Sequence, residues 1–294
     1  MNRKTFLKTL MVATPATLIG MKLNALNKLA DSFGATPKMP ALFLGHGSPM
    51  NAIEENEFVQ GFRKVSSEIE VPKAIIVVSA HWESRGTKVT AMEHPQTIHD
   101  FGGFTKALYE VQYPAPGSPE LAKETQSLIK STDVHLDDKW GLDHGAWSVI
   151  RHMYPKANIP VIQLSLDYYK TPREHYELAK ELAALREKGI LIVGSGNLVH
   201  NLGRVDWQRL NENFAFDWAQ EATNKMNNFI LNGDHDSLIN YSKQGKEFQL
   251  SIPTPEHFLP LLYVLGLQEK NESISLFNDE PVAGSLSMTS VKIG

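Results

Sequence analysis

Four short, unbroken apolar runs limit what this chain can fold into: MPALFLGHG (39–47), AIIVVSAH (74–81), IPVIQLSL (159–166) and GILIVGSGN (189–197). None alternates apolar with polar residues. A strand that is apolar at every position must be covered on both faces, which is the situation inside a parallel sheet flanked by helices. Helical stretches separate the runs. In TPREHYELAKELAALREKG, Thr171 can cap, Pro172 occupies the first helical position and Glu174 completes a capping box. Leu178, Leu182 and Leu185 form its apolar stripe, and Gly189 ends it. GSPELAKETQSLIKS (117–131) has the same Ser-Pro start, and NFAFDWAQEATNKMNNFILNG (213–233) reads as a further helix. AGSLSMTSVKI near the C-terminus reads as a late strand. The expectation is an α/β fold with a mainly parallel central sheet flanked by helices.

Three of the runs lead to a histidine. His46 follows the first, between Gly45 and Gly47; His81 closes the second; His200 follows the fourth in GSGNLVHN. Open α/β sheets bind ligands outside the carboxyl ends of their strands, so the three imidazoles should meet in one crevice. GLDHGAW sets His144 in a Gly-flanked turn, and PTPEHFLPLL sets His257 in the first turn of a helix with Thr254 as cap and Pro255 at its first position. His99 lies in TIHDFGGF, a Gly-rich aromatic loop that can serve as a lid or a simple turn. His152 reads as a helix-face residue, His175 as the exposed side of the capped helix, His135 and His235 as loop residues, and His94 as a surface residue.

Composition narrows the chemistry. The 294 residues contain no cysteine, which excludes disulfides, a thiolate nucleophile and Cys-based zinc or iron–sulfur sites. A metal must therefore be held by His, Asp or Glu. Neutral imidazoles bind iron, zinc, copper or nickel. Three protein ligands on one face, with carboxylate among them, suit a non-heme Fe(II) oxygenase; with zinc the same set suits a hydrolase. The net charge is −4 and no basic stripe occurs, so nucleic acid is not expected as a partner. There is no P-loop, H-E-x-x-H or G-x-S-x-G, and GSGNLV has Val199 where a dinucleotide fingerprint needs its third glycine. Arg204 and Lys106, the available cations near the candidate motifs, read as surface charges.

The N-terminus differs from the rest. Arg3, Lys4 and Lys8 precede an uncharged run from Thr9 to Met21, too short to span a bilayer. RKTFLK resembles a twin-arginine export signal with lysine in the second basic position. Residues 1–36 are read as a leader for export to the periplasm, the alternative being a basic tail on a cytoplasmic protein. Residues 37–294 are read as a single catalytic domain. Beyond export machinery, no membrane partner is expected.

In order, ALFLGHGSPMN, VVSAHW, TIHDFGGF, LDHGAW, GSGNLVHNL and PTPEHFLPLLYVLG resemble the class III extradiol ring-cleavage dioxygenases (LigB-like), above all the bacterial 4,5-DOPA-extradiol-dioxygenase-like proteins. The resemblance runs from about Pro40 to the C-terminus. It implies one mononuclear non-heme metal at the strand ends, Fe(II) for catalysis, with Zn(2+) in isolated protein. It implies His46 and His81 as two ligands and His257 as the third, with Glu256 as fallback. By the same resemblance His200 is the acid/base and a possible fourth ligand in a zinc form, while His144 helps hold the substrate hydroxyl or oxygen; His99 is a further substrate-side candidate. The implied reaction is O2-dependent opening of a catechol, DOPA-like or smaller, to a muconic semialdehyde. A zinc hydrolase or lyase, and a non-enzymatic binding protein on the same fold, are the alternatives; LFLGHGS alone also resembles a motif of the tetrapyrrole chelatases.

Overall fold

The computed structural model describes residues 38–210 and 212–294, so the expected leader at 1–36 lies outside the described residues. Ten strands are present in that region: β1 Ala41–Gly45, β2 Ala74–Ser84, β3 Thr87–Thr90, β4 Val134–Asp137, β5 Val161–Asp167, β6 Ile190–Gly196, β7 Ile274–Phe277, β8 Pro281–Val282, β9 Leu286–Ser287 and β10 Ser290–Ile293. Eight form one sheet in the order β4-β3-β5-β2-β6-β1-β10-β7. The four apolar runs are its centre: β5, β2, β6 and β1 are adjacent and mutually parallel. Antiparallel pairs join β1 to β10, β10 to β7 and β3 to β5.

The reason for the unbroken apolar runs is visible in the packing. Along β1, Ala41 and Phe43 enter one core, whereas Leu42 and Leu44 enter another. Along β2, Ile76 and Val78 divide from Ile75 and Val77 in the same way, as strand geometry requires. The helices Pro172–Lys180, Asp217–Leu231 and Leu259–Gly266 contribute to the first core. The helices Glu57–Ser67 and His144–Met153 contribute to the second.

Local signals hold with some corrections. Thr171 and Glu174 form the expected reciprocal capping box, with Pro172 first. Ser118 likewise caps the helix Pro119–Leu128. The long helix expected from Thr171 to Gly189 is two, Pro172–Lys180 and Ala183–Glu187. Glu181 and Leu182 donate to carbonyls three residues back, which tightens the chain and breaks the α-helical ladder between them. His175 is not exposed: it is fully buried, its Nδ1 3.0 Å from the Tyr263 hydroxyl of the helix Leu259–Gly266. His135 lies on β4, and His235 opens the helix His235–Ile239, neither in a loop. The late strand is interrupted: Leu286–Ser287 pairs with β8, and only Ser290–Ile293 joins the large sheet.

Beneath β1, at its N-terminal end, lies a fully buried arginine. Arg186 donates to the carbonyls of Met39 and Leu267 and bonds both oxygens of Glu272, at 2.9 and 2.5 Å. Such a fork matches a carboxylate in two places at once, and it ties three distant segments together at the end of the sheet away from the histidines. Among the described residues no helix is long and apolar enough to cross a membrane.

Candidate active site

The backbone brings five histidines to the carboxyl ends of the central strands. His46 follows β1 directly and its N–H donates to the Gly196 carbonyl of β6. The sequence places His81 at the end of its strand, but β2 continues past it to Ser84. Its register against β5 shifts between Val78 and Glu83, and His81 sits in that irregular stretch. Bulged strands recur at functional sites because they re-aim a side chain. His200 follows β6 by four residues, its N–H bonded to the Ser251 carbonyl.

His257 precedes rather than begins its helix, which starts at Leu259. Thr254 does not cap it; the Thr254 hydroxyl donates to Glu256 Oε1. The turn is closed by Phe258 and Leu259 N–H groups donating to the Pro255 carbonyl. Asn197 N–H takes the His257 carbonyl at 2.9 Å. A side chain at Gly196 would strike that carbonyl, so glycine is what lets the turn lie against the end of β6. His144 is also corrected: it is the first residue of the helix His144–Met153, not a turn residue, with Asp143 as N-cap. Buried Asp143 accepts from Ser79, Gln163 and the Ala146 N–H.

His46, His81 and His257 form a nearly equilateral set, with ring centroids 5.0, 5.3 and 5.0 Å apart. Each offers a nitrogen within 4.8 Å of the others. His46 Nε2 and His81 Nε2 lie 3.1 Å apart. His144 lies against His81, centroids 3.8 Å apart, and His200 stacks on His257 at 3.5 Å and 8°. Glu256 groups with His200 and His257, not with His46 and His81; its Oε1 is 3.1 Å from His257 Nδ1.

The outer partners determine where the protons are. Ser195 Oγ has one hydrogen and donates it to the Gly145 carbonyl at 2.6 Å. Toward His46 Nδ1, 3.0 Å away, it can only accept, so Nδ1 carries the proton and Nε2 is a bare lone pair. Glu256 does the same for His257, and Asp100 for His144, whose Nδ1 is 2.9 Å from Asp100 Oδ2. Burial, followed by the neighbouring imidazoles, holds His46 and His81 well below the ordinary histidine range. Burial is also the main reason that His257 is lowered and that His200 falls to about 3. Against burial, the hydrogen bond from His257 holds the Glu256 carboxyl down at about 2.

Neutral imidazoles with Nδ1 fixed by a hydroxyl or carboxylate and Nε2 turned inward are what a metal ion requires of histidine ligands. The spacing agrees as well. Two nitrogens each about 2.1 Å from one ion, at right angles, lie about 3.0 Å apart. The donor set therefore fits a divalent metal.

His99 stays outside this group. Its Nε2 is 3.0 Å from the Val111 carbonyl and its ring packs among Phe101, Tyr109 and Trp147. Phe101, two residues on, stands edge-on to His144 at 5.5 Å. Lys106 is 89% exposed beside Glu110, and Arg204 is exposed, as expected of surface charges. Asp100 and Ser195 are the functional-site residues that sequence reasoning missed. Both lie inside the motifs TIHDFGGF and GSGN, and the available signal is a carboxylate beside a histidine in the first and a hydroxyl between two glycines at the end of a buried strand in the second.

A protein-family model described as "Catalytic LigB subunit of aromatic ring-opening dioxygenase" matches residues 39–284, a span that holds all five histidines. The 4,5-DOPA dioxygenase extradiol of Escherichia coli (strain K12) is 48% identical over 269 residues, covering 90% of this chain and 98% of its own. The 4,5-DOPA dioxygenase extradiol of Beta vulgaris is 37% identical, covering 85% and 94%. The crystal structure of an uncharacterized protein from Escherichia coli K12 superposes with a TM-score of 0.74 at 45% identity, covering 87% of this chain and all of that one.

Proposed function

Because the chain belongs to the family of the catalytic LigB subunit of aromatic ring-opening dioxygenases, and is an extradiol ring-opening enzyme, we propose that it opens a DOPA-like catechol with O2 at a single Fe(II) held by His46, His81 and His257. The observation that carries the reading is the inward convergence of those three imidazoles, each neutral. Both atoms of O2 enter the product, and the ring bond that breaks lies beside the two hydroxyls, giving a hydroxymuconic semialdehyde.

Fe(II), when bound, supplies a Lewis acid with open positions for both reactants. The chain's own groups supply the rest. His200, held neutral mainly by burial, offers a ring nitrogen that can take a proton from a substrate hydroxyl and return it later. Its face-to-face contact with His257 fixes where that nitrogen stands. His144, whose Nδ1–H is engaged by Asp100, has Nε2 left as an acceptor for a hydrogen bond from the substrate hydroxyl. Phe101 beside it offers an apolar edge for an aromatic ring. Glu256 stands behind His257 and orients it rather than serving as the third ligand. The same three imidazoles suit Zn(2+), so isolated protein is expected to carry zinc.

The test is O2 uptake by metal-stripped protein reloaded anaerobically with Fe(II) and given DOPA and a panel of smaller catechols. Uptake coupled to a yellow ring-opened product, lost in His46→Ala and His81→Ala, is the expected result. Protein shown to hold Fe(II) that consumes no O2 with any member of the panel would refute the proposed substrate class.

A further inference from the structure

We propose that Asp100 is a positioning residue that locks His144, the neighbour of His81, into one tautomeric state through both oxygens of its carboxylate. The proposal rests on the reading of His81 as a metal ligand and His144 as a substrate-facing group. Asp100 is remote from both in sequence, and the loop carrying it is anchored just before it: Ile98 N–H donates to the Leu142 carbonyl at 2.7 Å, and Trp147 Nε1–H to the Ile98 carbonyl at 2.8 Å. The carboxylate therefore arrives on the same helix start that carries His144. Its Oδ1 takes the His144 backbone N–H at 2.8 Å. Its Oδ2 takes His144 Nδ1 at 2.9 Å and lies 3.3 Å from His81 Nδ1.

An ionised carboxylate accepts and cannot donate. His144 Nδ1, hydrogen-bonded to Oδ2, must then carry the hydrogen, and its Nε2 is bare. This leaves an acceptor for a substrate hydroxyl. One carboxylate thus holds both the backbone and the ring of His144, so that a single substitution should disturb the acceptor it presents.

Asp100→Asn separates this role from a general structural one. The amide has one acceptor where the carboxylate has two. If its oxygen keeps the His144 backbone N–H, its NH2 faces the Nδ1 atoms, and His144 must become an acceptor there and carry its hydrogen on Nε2. Histidine nitrogen NMR of the full chain, metal-free and with Zn(II) alone, reads this directly, with His81→Gln and His144→Gln for assignment. The expected wild-type spectrum has Nδ1–H on His144. Asp100→Asn should move His144 to Nε2–H. Asp100→Glu, which keeps both acceptors, should retain Nδ1–H on His144.

A wild-type spectrum with Nε2–H on His144 overturns the proposal by itself, even where a variant does not fold. So does a folded Asp100→Asn with an unchanged His144 tautomer. A loss of melting temperature without any tautomer change identifies Asp100 as structural only and also overturns it. None of these readouts uses O2 or a catechol, so the failure of the proposed reaction would be seen separately, in the Fe(II) assay.

Discussion

Replacing His175 by Asn should remove a large part of the pH dependence of this fold's stability. His175 is fully buried, and its Nδ1 meets the Tyr263 hydroxyl at 3.0 Å while its Nε2 has no partner. Protonation would place a charge in a site that burial cuts off from water. Burial is the main cause of its lowered proton affinity, from 6.5 to about 4; the nearby Asp167 and Glu174 pull it up and Lys170 pushes it down, without reversing the result. A fall of about 2.5 pH units at roughly 1.4 kcal/mol each amounts to about 3 kcal/mol. The sign follows from which state binds the proton. Below about pH 6.5 the unfolded chain takes a proton on His175 that the folded chain refuses until about pH 4. Stability is therefore full above pH 6.5, falls between 6.5 and about 4, and levels off below that.

Asn is the right replacement because its amide stands where Nδ1 stands and can keep the Tyr263 bond, and because its helix propensity is close to that of histidine. The assay is urea unfolding of metal-stripped wild type and variant at about pH 7.5, 6, 5 and 4. The buried histidines of the active site titrate in both chains and cancel in the difference. The stability advantage of wild type over variant should shrink by about 3 kcal/mol across that range. Parallel curves would refute the reasoning, and they are what an exposed His175, the expectation from sequence, would produce.

Three further outcomes follow from the packing. Gly145→Ala should fold but bind Zn(II) at least about tenfold more weakly, because the added methyl presses on Ser79 Oγ and would lie 2.9 Å from His81 Cδ2; a metal titration checks it. Arg186→Met should cost about 3–5 kcal/mol in urea unfolding by leaving Glu272 without its buried partner, and adding Glu272→Met should restore much of the loss. Glu256→Gln should lower Zn(II) affinity about tenfold while keeping one metal per chain, whereas His257→Ala should abolish stoichiometric binding; the reverse pattern would make Glu256 the ligand.

What was legible in the sequence divides along a physical line. The four central strands could be read because burial on both faces leaves a continuous apolar run, which no other local arrangement of that length explains so simply. The outer strands could not: β3 is TKVT and β4 is VHLD, short, and partly exposed in β4. Strands of that kind are specified by the neighbours they pair with rather than by their own pattern. The capping box at Thr171 was legible because all its atoms lie within one turn, yet the face that carries His175 was misread, because Tyr263 is 88 residues away.

The site divides in the same way. Histidines that follow buried strands announce a shared crevice, since strand direction alone carries them there. Their outer partners do not announce themselves: Ser195 is 149 residues from His46, and Asp100 is 44 from His144. Glu256 and His257 show the limit most clearly. They are neighbours, so composition and spacing treat them alike, and only the direction of the backbone separates them. The turn closed on the Pro255 carbonyl directs His257 toward His46 and His81 and leaves Glu256 behind it, bonded to Nδ1. That direction depends in turn on Gly196, in a different strand, where any side chain would displace the turn. The choice between two adjacent residues is thus made by a contact some 60 residues away, a distance over which local sequence rules carry no information.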